Sequence, residues 1–212
     1  MINTERKELF DNWAFGYDQA LSKSTGQYPF DGYDDVLSFL VMLAEPEPGM
    51  MVLDLGIGTG NLAGRFVSQG CIVWGIDFSE TMLDKAQAKF PEINLVHADL
   101  LSEWPETLPT TFDRVVSAYV LHEFDMDAKM KLINRVAEQY LSPGGRILLA
   151  DIAFPGVAAR HVAAKRWADK WDESEYYWAA NEALEAIETR GLHLKYKQVS
   201  SCAGIFQISK HG

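Results

Sequence analysis

A glycine-rich turn at the end of a short apolar run is the feature that most restricts how this chain can fold. Met51–Leu55 is almost entirely apolar, as expected of a buried strand, and it leads into Asp54-Leu55-Gly56-Ile57-Gly58-Thr59-Gly60. Glycine lets a turn adopt positive φ, and it lets the backbone approach a ligand closely. The pattern predicts a strand, a tight turn and a helix that starts near Asn61 and ends at Gly70, with a ligand beside the turn.

The same alternation of apolar runs and helical patterns continues along the chain. Such strands, separated by helices, are typical of a parallel sheet covered on both faces. The last two runs predict a hairpin at the sheet edge. The further predicted strands are Cys71–Ile76, Asn94–His97, Phe112–Ala118, Arg146–Ile152, His193–Val199 and Ile205–Ser209, and the clearest helices are Glu80–Lys89 and Asp127–Tyr140.

No linker divides the 212 residues, so a single domain is predicted. Residues 1–48 have the pattern of an acidic N-terminal helical cap. Residues 156–190 have the pattern of a helical insertion between the fifth and sixth strands. Ser142-Pro143-Gly144-Gly145 predicts a turn before the fifth strand.

Charge and cysteine content exclude several functions. The chain has 19 Lys and Arg against 30 Asp and Glu, a net charge of −11, and no segment is basic. Binding to nucleic acid or to an anionic membrane depends on cationic surface, so neither is expected. Val36–Ala44 is too short to span a bilayer and Met1–Phe10 lacks the apolar centre of a signal peptide, which favours a cytoplasmic protein. Cys71 and Cys202 are too few for a disulfide framework or a zinc cluster, so we expect reduced thiols and no metal.

Acidic residues follow the predicted strands at the edge where open parallel sheets bind ligands. Asn61 stands where dinucleotide-binding proteins have their third glycine, so that fingerprint is incomplete. Asp77 ends the second strand, where a carboxylate can accept hydrogen bonds from ribose hydroxyls, and Asp99 follows the third strand. Asp77 can instead begin a helix, Asp99 can be a loop carboxylate, and Asp54 can hold the turn backbone rather than a cofactor.

With these motifs, the chain resembles the class I S-adenosylmethionine-dependent methyltransferases over most of its length. The resemblance implies an α/β, Rossmann-like fold, with a doubly wound, mostly parallel seven-stranded sheet and an antiparallel last strand. Three segments are similar to the YrrT-like group of this family: Phe10–Asp18, Leu121–Glu123 and Ser201–Gly204. The segments that match the family as a whole are Asp54–Gly60, Asp77–Ser79, His97–Leu100, Phe112–Ser117 and Leu141–Gly145.

The resemblance also implies which residues hold S-adenosyl-L-methionine. The glycines of the turn pass beneath its methionine part, Asp77 binds the ribose, Asp99 binds the adenine amino group, and Phe78 or Met82 packs on the adenine. Tyr17 either closes over the sulfonium or is a core aromatic residue. The predicted cofactor-binding residues are Tyr17, Asp54, Gly56, Gly58, Asp77, Phe78, Met82, Asp99, Leu100 and Ala118.

His122 and Glu123 are the predicted catalytic residues. The sulfonium methyl is intrinsically electrophilic, so the protein chiefly has to hold a nucleophile in line with the C–S bond. A general base is needed only where the nucleophile loses a proton. Both residues follow the fourth strand at the mouth of the crevice, although His122 can instead pack or cap locally.

The expected acceptor is a small molecule beneath the 156–190 insertion. Trp171, Tyr176, Tyr177 and Trp178 give that segment an aromatic surface, whose alternative role is contact with the sheet or with a second copy. The chain is expected to be a monomer or a homodimer. A non-enzymatic cofactor-binding protein is the alternative function. An NAD(P)-dependent reductase is disfavoured by the incomplete fingerprint and the lack of a Tyr-x-x-x-Lys pair.

Overall fold

Strands and helices alternate through the chain as the apolar pattern predicts. The structure is a computed structural model that describes residues 26–210. The helices are α1 (Tyr33–Ala44), α2 (Ala63–Val67), α3 (Glu80–Lys89), α4 (Met126–Gln139), α5 (Val157–Arg166) and α6 (Ala180–Glu188), with a 3₁₀ turn at Leu121–Glu123. The strands are β1 (Met51–Leu55), β2 (Ile72–Asp77), β3 (Asn94–His97), β4 (Phe112–Ala118), β5 (Leu141–Phe154), β6 (Trp178–Ala179), β7 (Leu192–Gln198) and β8 (Ala203–Lys210).

The strands form one sheet in the order β3-β2-β1-β4-β5-β8-β7, and the short β6 pairs with β5. Strands β1 to β5 pair in parallel, whereas β8 is antiparallel to both of its neighbours. The predicted fold class is therefore confirmed, with β6 as an eighth, two-residue strand. The strand order reverses beside β1, between β2 and β4, which is where open α/β sheets form a ligand-binding crevice.

Alternate residues of the central strands face opposite layers of helices. Leu53 and Leu55 of β1 share a buried cluster with Ile133 of α4, whereas Val52 lies in a second cluster with Leu37 of α1. This period of two is the geometry of a strand that is covered on both faces. Helices α1, α2 and α3 cover one face and α4 and α6 the other, so the sheet is doubly wound.

Strand β5 starts earlier than predicted, because the predicted turn at 142–145 lies within it. Phe112 pairs with Leu141 and Arg114 pairs with Arg146, so β5 has three more residues than β4 between these paired positions. Gly144 has a φ of 76°, which lets the extra residues bulge outward before pairing resumes. The glycine signal does mark an irregularity in the backbone, but the chain bulges instead of turning back.

The 156–190 segment is less helical than predicted. Helices α5 and α6 occupy its two ends, and the residues between them form turns and β6. Asp172 Oδ1 accepts hydrogen bonds from the backbone N–H and the hydroxyl of Ser174, at 2.8 and 2.6 Å. Local bonds of this kind compete with helical hydrogen bonding. The rings of Trp171 and Tyr177 pack edge to face, 4.5 Å between centroids, which holds the irregular chain against its neighbours.

Helix α1 covers the sheet from one face, and its apolar side is buried. The Arg114 guanidinium donates a hydrogen bond from Nε to the carbonyl oxygen of Ala44, at 2.5 Å, and so satisfies a carbonyl at the end of this helix. The predicted N-terminal cap also includes residues 1–25. That part, with Tyr17, lies outside the described residues.

Two observations bear on the expected environment of the protein. Cys71 and Cys202 are free thiols, and Cys202 is buried. Across residues 26–210, every helix is too short or too polar to cross a lipid bilayer.

Candidate active site

The turn after β1 is shaped by its glycines in two different ways. The backbone N–H groups of Gly56 and Ile57 both donate to the carbonyl oxygen of Ile76, at 2.8 and 3.0 Å, which ties the turn to the end of β2. A Cβ on Gly56 would lie 2.6 Å from a methyl of Val120, so this glycine is needed for packing. A Cβ on Gly58 would meet nothing within 4 Å, although its φ of 53° strains any other residue. Gly58 therefore keeps open the space above the turn.

That space is a cavity of about 300 Å³ at the carboxyl edge of the sheet. Residues from the ends of β1, β2 and β4 and from the loop after β3 line it together. Tyr33 of α1 and Tyr119, which follows β4, also line it. Ten predicted site residues line this one cavity: Asp54, Gly56, Gly58, Asp77, Phe78, Met82, Asp99, Leu100, Ala118 and Glu123.

The Asp77 carboxylate combines a structural contact with a place in the cavity wall. One oxygen accepts a hydrogen bond from the Gly58 backbone N–H, at 2.8 Å, and the other accepts from that of Ser79, at 2.9 Å. Burial raises the pKa of Asp77, and the backbone hydrogen bonds oppose this rise. Each carboxylate oxygen can accept a second hydrogen bond, so Asp77 can still bind hydroxyl groups of a ligand.

Asp54 is the most deeply buried acid at the cavity, with 1% of its surface exposed. Its Oδ2 has no hydrogen-bond partner among residues 26–210. Burial, together with the nearby Asp77, raises the pKa of Asp54 to about 8. A buried oxygen without a partner is costly, and a cationic or hydrogen-bonding ligand group would satisfy it. The ammonium group and ribose hydroxyls of S-adenosylmethionine have this chemistry, so the residues present fit that cofactor.

The opposite end of the cavity, beside β3, is largely apolar. Met82 and Leu100 are 3% and 5% exposed, and they line this end with Phe78. Asp99 Oδ1 accepts a hydrogen bond from the backbone N–H of Leu101, at 2.9 Å, so the carboxylate also fixes its own loop. An apolar slot with one acidic group at its edge can hold a flat ring that carries an amino group.

His122 lies behind the cavity wall and is bound to a buried acid that was not predicted. Its Nδ1 lies 2.6 Å from Asp151 Oδ1, and its backbone N–H donates to Asp151 Oδ2 at 2.8 Å. The Trp178 indole and the Ile152 backbone N–H donate to the same carboxylate, at 3.0 and 2.8 Å. Burial alone would raise the pKa of Asp151, but His122 and the other donors hold it below its usual range. Burial likewise lowers the pKa of His122, but Asp151 outweighs it and the net effect is a raised pKa.

Two glutamates face the other ring nitrogen of His122. Glu123 Oε1 lies 3.7 Å from Nε2 and Glu175 Oε1 lies 3.8 Å from it. Glu175 belongs to the irregular part of the 156–190 segment, which is attached here by a hydrogen bond from the Tyr176 backbone N–H to the His122 carbonyl oxygen, at 2.7 Å. The insertion therefore reaches His122 through Glu175, and its Tyr177 ring lies 6.2 Å from the imidazole, between centroids.

The aromatic residues predicted to cover the acceptor have other positions. Tyr177 belongs to a core cluster and the half-buried Trp171 packs against it, Trp178 is fully buried, and Tyr176 is 52% exposed. Among the described residues, none from 156–190 lines the cavity. This arrangement matches the alternative interpretation, in which the aromatic residues pack against the sheet.

Asp151 could have been found from the sequence and Glu175 could not. Asp151 is a lone acid within the apolar part of β5, between Ala150 and Ile152, and an acid in a buried strand needs a hydrogen-bonding or charged partner, so the sequence does carry a signal for it. Glu175 stands in a stretch with a helical pattern and has no local signal. Its position depends on the irregular path of the chain between α5 and β6.

Comparison with known proteins agrees with the fold. The profile of the Methyltransferase domain family matches residues 52–145. An uncharacterized methyltransferase of Bacillus cereus is 30% identical over 220 residues, covering 99% of this chain and 100% of the relative. The uncharacterized methyltransferase YrrT of Halobacillus halophilus is 27% identical and covers 99% of both chains.

A solved structure shows the same fold at lower identity. The magnesium protoporphyrin IX methyltransferase of Synechocystis, solved with bound SAM, has a TM-score of 0.68 and 18% identity, over 100% of this chain and 99% of that one. This solved structure shows the shared fold, and the full-length relative at 30% identity establishes the family. The chain belongs to the YrrT-type class I S-adenosylmethionine-dependent methyltransferases.

Proposed function

We propose that this methyltransferase transfers the methyl group of S-adenosylmethionine to a small-molecule acceptor within the cavity beside β1 and β4. The observation that carries the proposal is that nine predicted cofactor residues, from the glycine turn and four separate strand ends, line a single cavity. Asp54 and Ala118 are far apart in the sequence and share a wall because β1 and β4 are neighbouring parallel strands that end at the same edge of the sheet.

The proposed cofactor position follows from the order of the strands. Since β3 and β4 lie on opposite sides of the β2–β1 pair, Asp99 and Glu123 mark opposite ends of the cavity. We place the adenine at the Asp99 end, the ribose at Asp77 and the methionine part over Gly58, with its ammonium group near Asp54. From the resemblance alone, Tyr17 is proposed to close over the sulfonium.

The acceptor then lies towards Glu123, Tyr33 and Tyr119. When bound, the cofactor would supply an electrophilic methyl group to a lone pair of the acceptor, and the electron pair of the C–S bond would stay on sulfur. The protein's part is to hold the acceptor in line with that bond. If the acceptor carries a proton, Glu123 in the cavity wall and His122 behind it are proposed to promote its loss.

A small-molecule acceptor is supported by the size of the cavity and by the charge of the chain. Ligand pockets typically have volumes of about 300–1,000 Å³, and this cavity, at about 300 Å³, is at the lower end of that range, a size that suits small molecules. The net charge of −11 disfavours an RNA or DNA acceptor.

The test uses S-adenosylmethionine with an isotopically labelled methyl group. The protein is incubated with panels of small thiols, phenols, carboxylic acids and amines, and in parallel with total RNA and with protein extracts. We expect label in one small-molecule class, and none with the Gly58→Val variant. Label found only in the RNA or protein fraction would contradict the small-molecule proposal. Binding of NADH in place of S-adenosylhomocysteine would contradict the cofactor assignment.

A further inference from the structure

His122, Glu123 and Glu175 converge at one point beside the cavity. One oxygen of each glutamate and one ring nitrogen of His122 all lie within 4.8 Å of one another. The two distances from His122 Nε2 are 3.7 Å to Glu123 and 3.8 Å to Glu175. Metal–ligand bonds of about 2.0–2.2 Å at tetrahedral angles place two donors roughly 3.4 Å apart, so only small side-chain movements are needed to bind one ion.

The orientation of His122 favours a metal ligand. Its Nδ1 is engaged with Asp151, so the lone pair of a neutral ring is on Nε2, which points to the two glutamates. His122 is buried, with only 8% of its surface exposed. Even so, the Glu123 and Glu175 oxygens nearest to Nε2 are both too far from it for a hydrogen bond. A carboxylate on the far nitrogen is the usual support of a metal-binding histidine, because it fixes the tautomer and the ring plane.

Charge also favours a cation at this point. Three carboxylates, those of Asp151, Glu123 and Glu175, surround the imidazole, and Lys129 is the nearby ammonium group. When the imidazole is neutral, which is the form that can bind a metal ion through Nε2, three negative charges and one positive charge leave the group at −2. The side chains of Glu123 and Glu175 are only 14% and 18% exposed, so water screens this excess poorly. Lys129 donates a hydrogen bond to the carbonyl oxygen of Tyr176 and lies 4.2 Å over the Trp178 ring, which keeps its ammonium group occupied.

We propose that His122 Nε2, Glu123 and Glu175 bind one divalent transition-metal ion, with Asp151 as the residue that orients His122. One imidazole and two carboxylates suit Zn²⁺, Fe²⁺, Co²⁺ or Mn²⁺. Three protein ligands leave a position for water or for an oxygen, nitrogen or sulfur atom of a second molecule. Glu123 also lines the cavity, so that position faces the acceptor side. The consequence for catalysis rests on the proposed function: the ion would bind the acceptor and favour loss of its proton.

The test is a Co²⁺ titration of tag-free, chelator-treated protein, followed by visible absorption and calorimetry. We expect one equivalent to bind, and Zn²⁺ to displace it. Glu175→Gln should weaken Co²⁺ binding by about tenfold or more, since even residues that only support a ligand contribute about 10–100-fold. Glu123→Gln provides a second ligand variant. Glu173→Gln, an exposed acid in the same loop, is the matched control and should bind Co²⁺ as the parent does.

The affinity for S-adenosylhomocysteine, measured without metal in the same preparations, separates this inference from the proposed function. We expect Glu175→Gln to keep that affinity and the parent melting temperature, which shows that the variant is folded. The metal site is refuted if the folded parent binds neither Co²⁺ nor Zn²⁺, or if Glu175→Gln and Glu123→Gln bind Co²⁺ as tightly as Glu173→Gln does. If Co²⁺ binds as expected and S-adenosylhomocysteine does not, only the proposed function fails.

Discussion

Replacing Asp77 with alanine should weaken binding of S-adenosylhomocysteine far more than it weakens the fold. The variant loses the proposed hydrogen bonds to two ribose hydroxyls, and it leaves the N–H groups of Gly58 and Ser79 without their carboxylate acceptor. Losing two hydrogen bonds to a charged group costs roughly 3–6 kcal/mol of binding free energy. That corresponds to a dissociation constant about 150- to 25,000-fold higher. Because burial raises the pKa of Asp77, the folded protein holds this charge at a cost, and its removal should offset part of the lost backbone contacts.

Isothermal titration with S-adenosylhomocysteine measures the predicted loss, and thermal unfolding measures the stability of each variant. Asp84→Ala removes an exposed carboxylate from α3 and is the control, for which we expect the parent affinity. An Asp77→Ala variant that is folded and binds with the parent affinity would show that the ribose assignment is wrong. An equal loss of affinity in Asp84→Ala would show that charge at a distance, and not contact, is responsible.

Three further predictions concern the glycine turn, the buried acid Asp54 and the hydrogen bond between Trp178 and Asp151. Gly58→Ala should weaken binding of S-adenosylhomocysteine and lower the melting temperature only through the strain of its positive φ of 53°. Gly56→Ala should lower the melting temperature further, because a φ of 71° is combined there with a Cβ that would lie 2.6 Å from Val120; equal effects of the two variants on stability would contradict the distinction. Between pH 3.8, the pKa of Asp54 in the unfolded chain, and about pH 8, its pKa in the folded protein, only the folded protein keeps the proton on Asp54. The free energy of unfolding should therefore fall as pH rises through that range. Thermal unfolding of Asp54→Asn should show a smaller fall over the same range. Trp178→Phe removes a donor to Asp151 and should cost about 1.5–3 kcal/mol of unfolding free energy; an unchanged denaturant midpoint would contradict this.

The strands and the cofactor side of the cavity could be predicted because their signals are local. β1, β3 and β4 have the predicted bounds, since each is a short apolar run that ends at a turn signal. Helix α3 also has its predicted bounds, and Ser79 caps it by accepting a hydrogen bond from the Met82 backbone N–H at 3.2 Å. Once the strands are parallel, the acids that follow them must meet at one edge of the sheet.

The acceptor side could not be predicted to the same extent, because its geometry depends on contacts between distant segments. Glu175 and His122 meet only because the chain between α5 and β6 leaves the helical path that its sequence pattern predicts. The aromatic residues nearby were expected at the cavity, yet Tyr177 packs in the core and Trp171 packs against that core. Apolar surface is equally suited to a ligand wall and to a core, so composition alone does not distinguish the two.

A crystal structure of the protein with S-adenosylhomocysteine tests the central claim most directly. We expect the ligand in the cavity at the carboxyl edge of the sheet, with its ribose hydroxyls on Asp77, its adenine beside Asp99 and its sulfur turned towards Glu123. A complex in which this cavity holds only solvent and the ligand lies elsewhere on the protein would contradict the account.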